Sequence, residues 1–273
     1  MNLDFSNDQK FLQEEARKFL EKEEALSRNR SVLETESHID QELWNKIVDL
    51  GWTGIRIPEE YGGLGLGHLE LCVIAEELGR YLAPVPFSSS VYLFTEAIIN
   101  YASEEIKKDL LPKLVSGQVI GTLAVTEELH APSKSNIKVS YNKGNLNGKK
   151  IAVPDAGIAT HSLVVSKTDN GISLQLVDLS KPGLKIEHQE NIDESRGHFS
   201  IEFNNVKSDL IGDENSGWEL YESIINQAAV LFSYEQIGGS QAALDMAINY
   251  AKERYAFGRP IGSYQAIKHK LAD

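Results

Sequence analysis

The side chains able to do chemistry are scattered along this chain, and their spacings exclude most familiar sites. The seven histidines form no i, i+4 pair of the kind that grips a metal from one helix face, and no cysteine–histidine cluster accompanies them, so no metal site is expected. No Gly-x-Ser-x-Gly elbow presents a nucleophile, and no Walker or Rossmann glycine run cradles a phosphate. The paired acids Glu76–Glu77 and Glu127–Glu128 read as solvated surface rather than as a general acid–base couple. Cys72, the single cysteine, has no partner for an intrachain disulfide and sits in the apolar helical stretch LELCVIAEEL, which predicts an inert core thiol. Taken alone, Arg254 reads as a cation favouring a helix C-terminus and Phe257–Gly258 as a capping turn.

Composition narrows the class further. With 27 Lys and Arg against 40 Asp and Glu, the net charge of −13 repels nucleic-acid phosphates and anionic lipid, so neither is an expected partner. No apolar run approaches the ~20 residues of a spanning helix, and the polar, periodic N-terminus MNLDFSNDQKFLQEEARKFL lacks a signal-peptide core. A cytoplasmic protein without membrane insertion is the expectation.

Periodicity divides the chain into three parts. An N-terminal helical domain is expected over residues 1–117, with Phe11, Leu12, Ala16, Phe19 and Leu20 on one helix face, and Ser6 as its N-cap. Ile39, Leu43, Ile47 and Leu50 make a second face. The glycine-rich IPEEYGGLGLG is a turn-rich connection, and Ser103 opens a further helix. Residues 118–213 show strand grammar, short alternating runs separated by Asp-Asn-Gly and Lys-Pro-Gly turns, with NLNGKK read as a hairpin turn; an antiparallel barrel or sandwich is expected. Helix returns over 214–273, carrying an apolar stripe of Ile224, Ala228, Leu231, Tyr234, Ile237, Ala242 and Met246. Within it Gly238–Gly239 predicts close approach of another backbone. The fold class is therefore α+β.

Three stretches in this order, GWTGIRIPEEYGGLGLGHLELCVIAEELGRYLAPVPF, GTLAVTEE and ERYAFGRPIGSYQAIKHKLAD, closely resemble the acyl-CoA dehydrogenase family of flavoproteins over essentially the whole chain. The last contains the rather specific pattern of Arg254, Phe257, Gly258 and Gln265. The resemblance implies a helical domain, a β domain and a C-terminal four-helix bundle that stops here where its second helix begins, a truncated form. It implies FAD in a cleft between the last two domains, an acyl-CoA substrate, and an electron-transfer acceptor protein. A base removes the α-proton from one face of the thioester while the flavin takes the β-hydrogen as hydride on the other, which works only on a fixed, dry substrate.

Carried over by position, Val125, Thr126 and Glu127 match the segment that touches the isoalloxazine ring. Arg254, Phe257, Tyr264 and Gln265 match the segment that reaches across a dimer interface to the neighbour's FAD, where a guanidinium can hold a diphosphate by paired hydrogen bonds. Other positions depart from the pattern. Pro132 stands where a serine approaches the flavin phosphate, and proline has no N–H to donate. Ala152 and Pro154 replace an aromatic and a hydroxyl residue of the second flavin segment. The catalytic residue is unassigned: most members place the base beyond Asp273, and the minority position on the first bundle helix is Ala228, with Ala229 beside it. Two damaged flavin segments beside an intact interface segment fit a subunit that oligomerises with a copy of itself or, in the two-subunit type, with an unlike acyl-CoA dehydrogenase subunit. The alternative is a non-catalytic fragment that only mediates association.

Overall fold

The computed structural model describes residues 4–33, 35 and 38–273. The first helix, α1 (Asn7–Lys22), begins where Ser6 Oγ accepts the Gln9 N–H and the Gln9 side chain accepts the Ser6 N–H, so two otherwise unsatisfied donors are paired. Ala16 and Leu20 face inward, but Phe11 is 64% exposed and lies off the buried face expected of it. Then come α2 (Ala25–Leu33) and α3 (Gln41–Asp49), which buries Leu43 and Ile47 while Leu50 stays outside. The glycine-rich connection folds back tightly: a Cβ on Gly63 would lie 2.0 Å from the Ile57 carbonyl oxygen. It leads into α4 (His68–Arg80), a π-helical segment (Ser88–Thr95), α5 (Glu96–Tyr101) and α6 (Glu104–Val115), the last capped by Ser103 as expected.

Strands β1 (Gly121–Ala124), β2 (Ser140–Asn142), β3 (Asn145–Pro154), β4 (His161–Lys167), β5 (Ile172–Asp178), β6 (Leu184–Gln189), β7 (His198–Lys207) and β8 (Asp209–Ile211) form one sheet in the order β6-β7-β3-β2-β4-β5-β8, with β1 beside β4. A sandwich-like β domain is thus present, and it departs from purely antiparallel pairing because β1 runs parallel to β4. The Asp169-Asn170-Gly171 turn joins β4 to β5 as the sequence predicts. NLNGKK is not a turn. It lies inside β3, where Asn147 and Gly148 pair with Asn204 and Phe203 of β7; the adjacent register shift bulges out Asn205 of β7, at φ +56°, whose N–H donates to Asn147 Oδ1 at 2.9 Å. The β domain closes a second small core around Leu146, Val164 and Phe203.

The long helix α7 (Gly217–Glu253) spans about 55 Å at the standard rise. It is followed by a hairpin of β9 (Tyr255–Ala256) and β10 (Arg259–Pro260), then α8 (Gln265–Ala272). The apolar stripe of α7 divides in two: Ile224, Ala228 and Leu231 are buried, whereas Ile237 and Met246 are 53% and 60% exposed. Between these halves α7 crosses α4 at near backbone contact. A Cβ on Gly238 would lie 1.8 Å from the Glu76 carbonyl oxygen, and one on Gly79 would lie 2.3 Å from that of Glu235. Arg80 fastens the crossing through Asp245 at 2.6 Å. No helix among the described residues is long and apolar enough to cross a membrane.

The acids expected at the surface behave otherwise. Glu77 is fully buried and takes both arms of the Arg17 guanidinium at 2.7 and 3.0 Å, and Glu76 is half-buried, its carboxyl pushed upward by burial and by Glu77 beside it. Cys72 is buried, and its thiol is pushed up to about 11 by desolvation, in keeping with an inert core residue.

The crossing gives a direct test. Gly238→Ala has only backbone to displace and should cost about 1–3 kcal/mol, a fall of several degrees in thermal melting. Gly239→Ala, whose Cβ would sit 3.5 Å from the Gly79 carbonyl oxygen, should melt close to wild type; equal melting of both variants would contradict the close contact.

Candidate functional site

Beyond β1 the chain runs through Val125, Thr126 and Glu127, and each is tied to the middle of β3. The Lys150 ammonium donates to the Val125 carbonyl at 2.8 Å and to Glu127 Oε1 at 2.6 Å. The Thr126 carbonyl accepts the Ile151 N–H at 2.8 Å. Glu127 also accepts the backbone N–H groups of Lys138 and Val139, at 2.7 and 3.0 Å, and so closes the base of the intervening loop. The Lys150 side chain is 0% exposed and that of Glu127 6%, so this pair is desolvated, and the Val125 carbonyl and the Lys138 and Val139 N–H groups add hydrogen bonds to it. Burial lowers the Lys150 pKa from 10.5 to about 8, against the pull of the Glu127 carboxylate.

Thr126 itself is half-buried, and among the described residues neither its N–H nor its hydroxyl donates or accepts within the chain. Both are free to meet a ligand at the strand end. Glu127, expected among the cofactor contacts, is committed instead to holding the loop and Lys150.

The loop over residues 128–137 satisfies itself. The Ser133 N–H bonds the Asn136 side chain at 2.8 Å, Ser133 Oγ meets Ser135 Oγ at 3.0 Å, and Lys134 pairs with Glu219. Glu128 takes up Lys138 and, at 2.8 Å, His130. With Pro132 lacking a donor, this loop offers no obvious cradle for phosphate. On β3, Ala152 is exposed at φ +51°, a left-handed conformation at a bulge, and its N–H is capped by Gln189 Oε1 at 2.8 Å. The Pro154 carbonyl accepts the Thr122 hydroxyl at 2.6 Å. Neither side chain supplies an aromatic wall or a hydroxyl donor. The strand end therefore fits the edge of a flavin ring, and the loop and bulge do not reproduce the rest of its setting.

The second group lies on the terminal hairpin. Arg254 ends α7, its N–H bonded to the Tyr250 carbonyl at 2.8 Å and its own carbonyl to the Ile261 N–H at 2.7 Å. Its side chain is exposed and makes no salt bridge among the described residues. Phe257 and Gly258 form the hairpin tip at φ +52° and +79°, and Phe257 is 97% exposed. Tyr264 is fastened, its hydroxyl to the Ala256 carbonyl at 2.9 Å and its ring under the Arg259 guanidinium at 4.0 Å. Gln265 opens α8, exposed. The chain thus gathers Val125–Glu127 in one place and Arg254, Phe257, Tyr264 and Gln265 in another, with no hydrogen bond or ion pair joining the two among the described residues.

Ala228 is fully buried and offers no proton acceptor. One helical turn on, Phe232 lines a recess of about 510 Å3 together with Arg196 and Glu235. Arg196, on the β6–β7 connection, donates to Ser88 Oγ at 2.6 Å on the π-helical segment and to Glu235 at 2.9 Å on α7, so one guanidinium joins all three parts of the chain. Beside it Asp155 is buried, bonded by the Ser89 hydroxyl at 2.5 Å, with its carboxyl pushed upward by desolvation. Sequence reading missed Lys150 and Arg196. For Lys150 a signal exists, since it shares strand parity with Leu146 and so falls on the inward face of β3; Arg196 carries none.

Comparisons with known proteins establish the family. Residues 6–118 match the model for the N-terminal domain of acyl-CoA dehydrogenase and residues 215–273 that for its C-terminal domain. The chain belongs to the acyl-CoA dehydrogenase family, whose cofactor is FAD. It is similar to the mitochondrial isovaleryl-CoA dehydrogenase of Oryza sativa subsp. japonica, 29% identical over 98% of this chain and 70% of the relative. Among solved structures it is similar to a variant of the Tcur3481–Tcur3483 steroid ACAD, 32% identical with a TM-score of 0.85 over 97% of this chain and 72% of that one. It is also similar to the ChsE4–ChsE5 complex from Mycobacterium tuberculosis, 27% identical with a TM-score of 0.89 over 100% of this chain and 74% of that one.

The Lys150 pair predicts a pH dependence whose sign is fixed. The folded-state pKa lies below the unfolded 10.5, so the contribution of Lys150 to stability is fully present above 10.5 and is lost as pH falls through about 8. Denaturant titrations should show stability relative to Lys150→Met shifting in favour of wild type as pH rises across that window. A flat difference would contradict the desolvated ammonium.

Proposed function

We propose that this chain is a subunit of an FAD-dependent acyl-CoA dehydrogenase that works in an assembly with another subunit of the same family, passing electrons to an acceptor protein. The observation that carries this reading is the terminal hairpin, where an unpaired Arg254 and a fully exposed Phe257 stand on an ordered turn, in a chain whose own flavin segments have lost their aromatic and their loop donor. An exposed phenyl ring at a left-handed, non-glycine turn is costly in a free monomer and becomes favourable when a partner covers it. Two of the similar solved structures pair unlike names, Tcur3481–Tcur3483 and the ChsE4–ChsE5 complex, which supports an unlike partner.

When bound, FAD supplies the hydride acceptor for α,β-dehydrogenation of the acyl thioester. Thr126 orients the ring edge through its N–H and hydroxyl. Arg254 reaches the diphosphate of a flavin held mainly by the neighbouring subunit. The α-proton needs a carboxylate that position 228, a buried alanine, does not provide. A second reading is a partner that supports catalysis without carrying it out.

Purified alone, the chain should retain well under one FAD per polypeptide, read from flavin absorbance after denaturation. With its partner, Arg254→Ala should weaken flavin retention by roughly tenfold or more, the loss of a bidentate charged contact. One tightly held FAD per isolated chain would overturn the unlike-partner reading, and an Arg254→Ala assembly with unchanged flavin and activity would leave association as the sole role.

A further inference from the structure

Within the β domain, contact with a flavin ring rests on the end of β1, because the bulge at Ala152 and the loop around Pro132 contribute so little. That end is short, and backbone pairing with β4 stops at Ala124. The next three residues are fixed from one side only: Val125 through its carbonyl, Thr126 through its carbonyl, Glu127 through its carboxylate. Two of these three ties converge on the ammonium of Lys150.

We propose that Lys150 is a positioning residue for the flavin-facing strand end, a buried clasp that holds the Val125 carbonyl and the Glu127 carboxylate so that the free N–H and hydroxyl of Thr126 present a fixed edge to the ring. The inference rests on reading Val125–Glu127 as the flavin segment. A lysine suits the task because its three donors radiate from one point, and two of them account for the acceptors found here. The charged groups around the clasp do not compete for it. Glu128 is occupied by Lys138 and His130 on the loop, and Glu127 is the acidic side chain within reach of the ammonium among the described residues. A lysine buried merely to fill space would be replaced by methionine with little consequence; here methionine leaves a carboxylate without its counter-ion and a carbonyl without its donor.

The test separates positioning from stability by using Lys150→Met and the charge-balanced double variant Lys150→Met/Glu127→Gln on the full chain. Three quantities are read: thermal melting, amide hydrogen exchange without flavin, and FAD affinity from quenching of flavin fluorescence as FAD is titrated in. Lys150→Met should melt lower, exchange faster at the Lys138, Val139 and Ile151 amides, and bind FAD at least about tenfold more weakly, the scale of one charge-assisted hydrogen bond. The double variant removes the stranded charge and should regain melting temperature, while exchange at Ile151, which bonds the Thr126 carbonyl, stays fast and FAD affinity stays low. Recovery of affinity together with melting would reduce Lys150 to a stability role and overturn the proposal. Unchanged exchange in Lys150→Met would overturn the clasp itself. Wild type that shows protected amides but no saturable FAD binding, alone or assembled with its partner, would instead overturn the flavin reading of the segment, and with it the role assigned to the clasp.

Discussion

Backbone meeting backbone where α4 crosses α7 is the contact on which the arrangement of this molecule depends. Side chains can adjust when helices pack; a carbonyl oxygen against a glycine Cα cannot. Because Gly79 and Gly238 remove that layer of side chains, the two axes come closer than ordinary packing allows, and the direction of a helix 37 residues long is set at its middle. The first half of α7 is thereby pressed into the core, where Ala228 and Leu231 are buried, and the second half is carried out into solvent with Ile237 and Met246 uncovered. The recess at Phe232 and the reach of Glu235 to Arg196 follow from the same angle.

Features that obey local rules could be read from the sequence. Ser6 and Ser103 are caps because a serine ahead of a periodic run has an N–H to accept, and Gly238–Gly239 pointed to a close approach because glycine weakens a helix interior, though only Gly238 proves to need the space. Misreadings arose where a long-range partner sets the geometry. Asn147–Gly148 has the composition of a turn, but β7 runs alongside and pairs with it as strand, the extra residue Asn205 bulging from β7 instead. The parallel placement of β1 against β4 depends on a crossover that no short window contains.

The charged interior was the least legible part. Glu77, Glu127 and Lys150 look like surface residues in a sequence, since a free charge cannot leave water; each becomes buried because another ion, distant along the chain, comes with it. Arg17 lies 60 residues from Glu77 and Lys150 lies 23 from Glu127. Patterning has no access to such pairs. The terminal hairpin shows another case, in which Arg254, Phe257, Tyr264 and Gln265 stood out only through the family resemblance, since taken alone they read as a helix end and a turn, and the structure then separated Tyr264, fastened within the hairpin, from the exposed Arg254 and Phe257.

Glu127 gathers two amides and an ammonium at the neck of the segment over residues 128–137, so its closure is set by one side chain, with little demand on its exposed positions, although Ile137 is held in the core. Evolutionary drift at those exposed positions is mechanically insulated from the sheet. Substitutions such as Pro132 can accumulate, and even changes of length can be absorbed, with the domain beneath left undisturbed. A region of this kind can lose an ancestral task, or acquire a different one, long before the scaffold records the change.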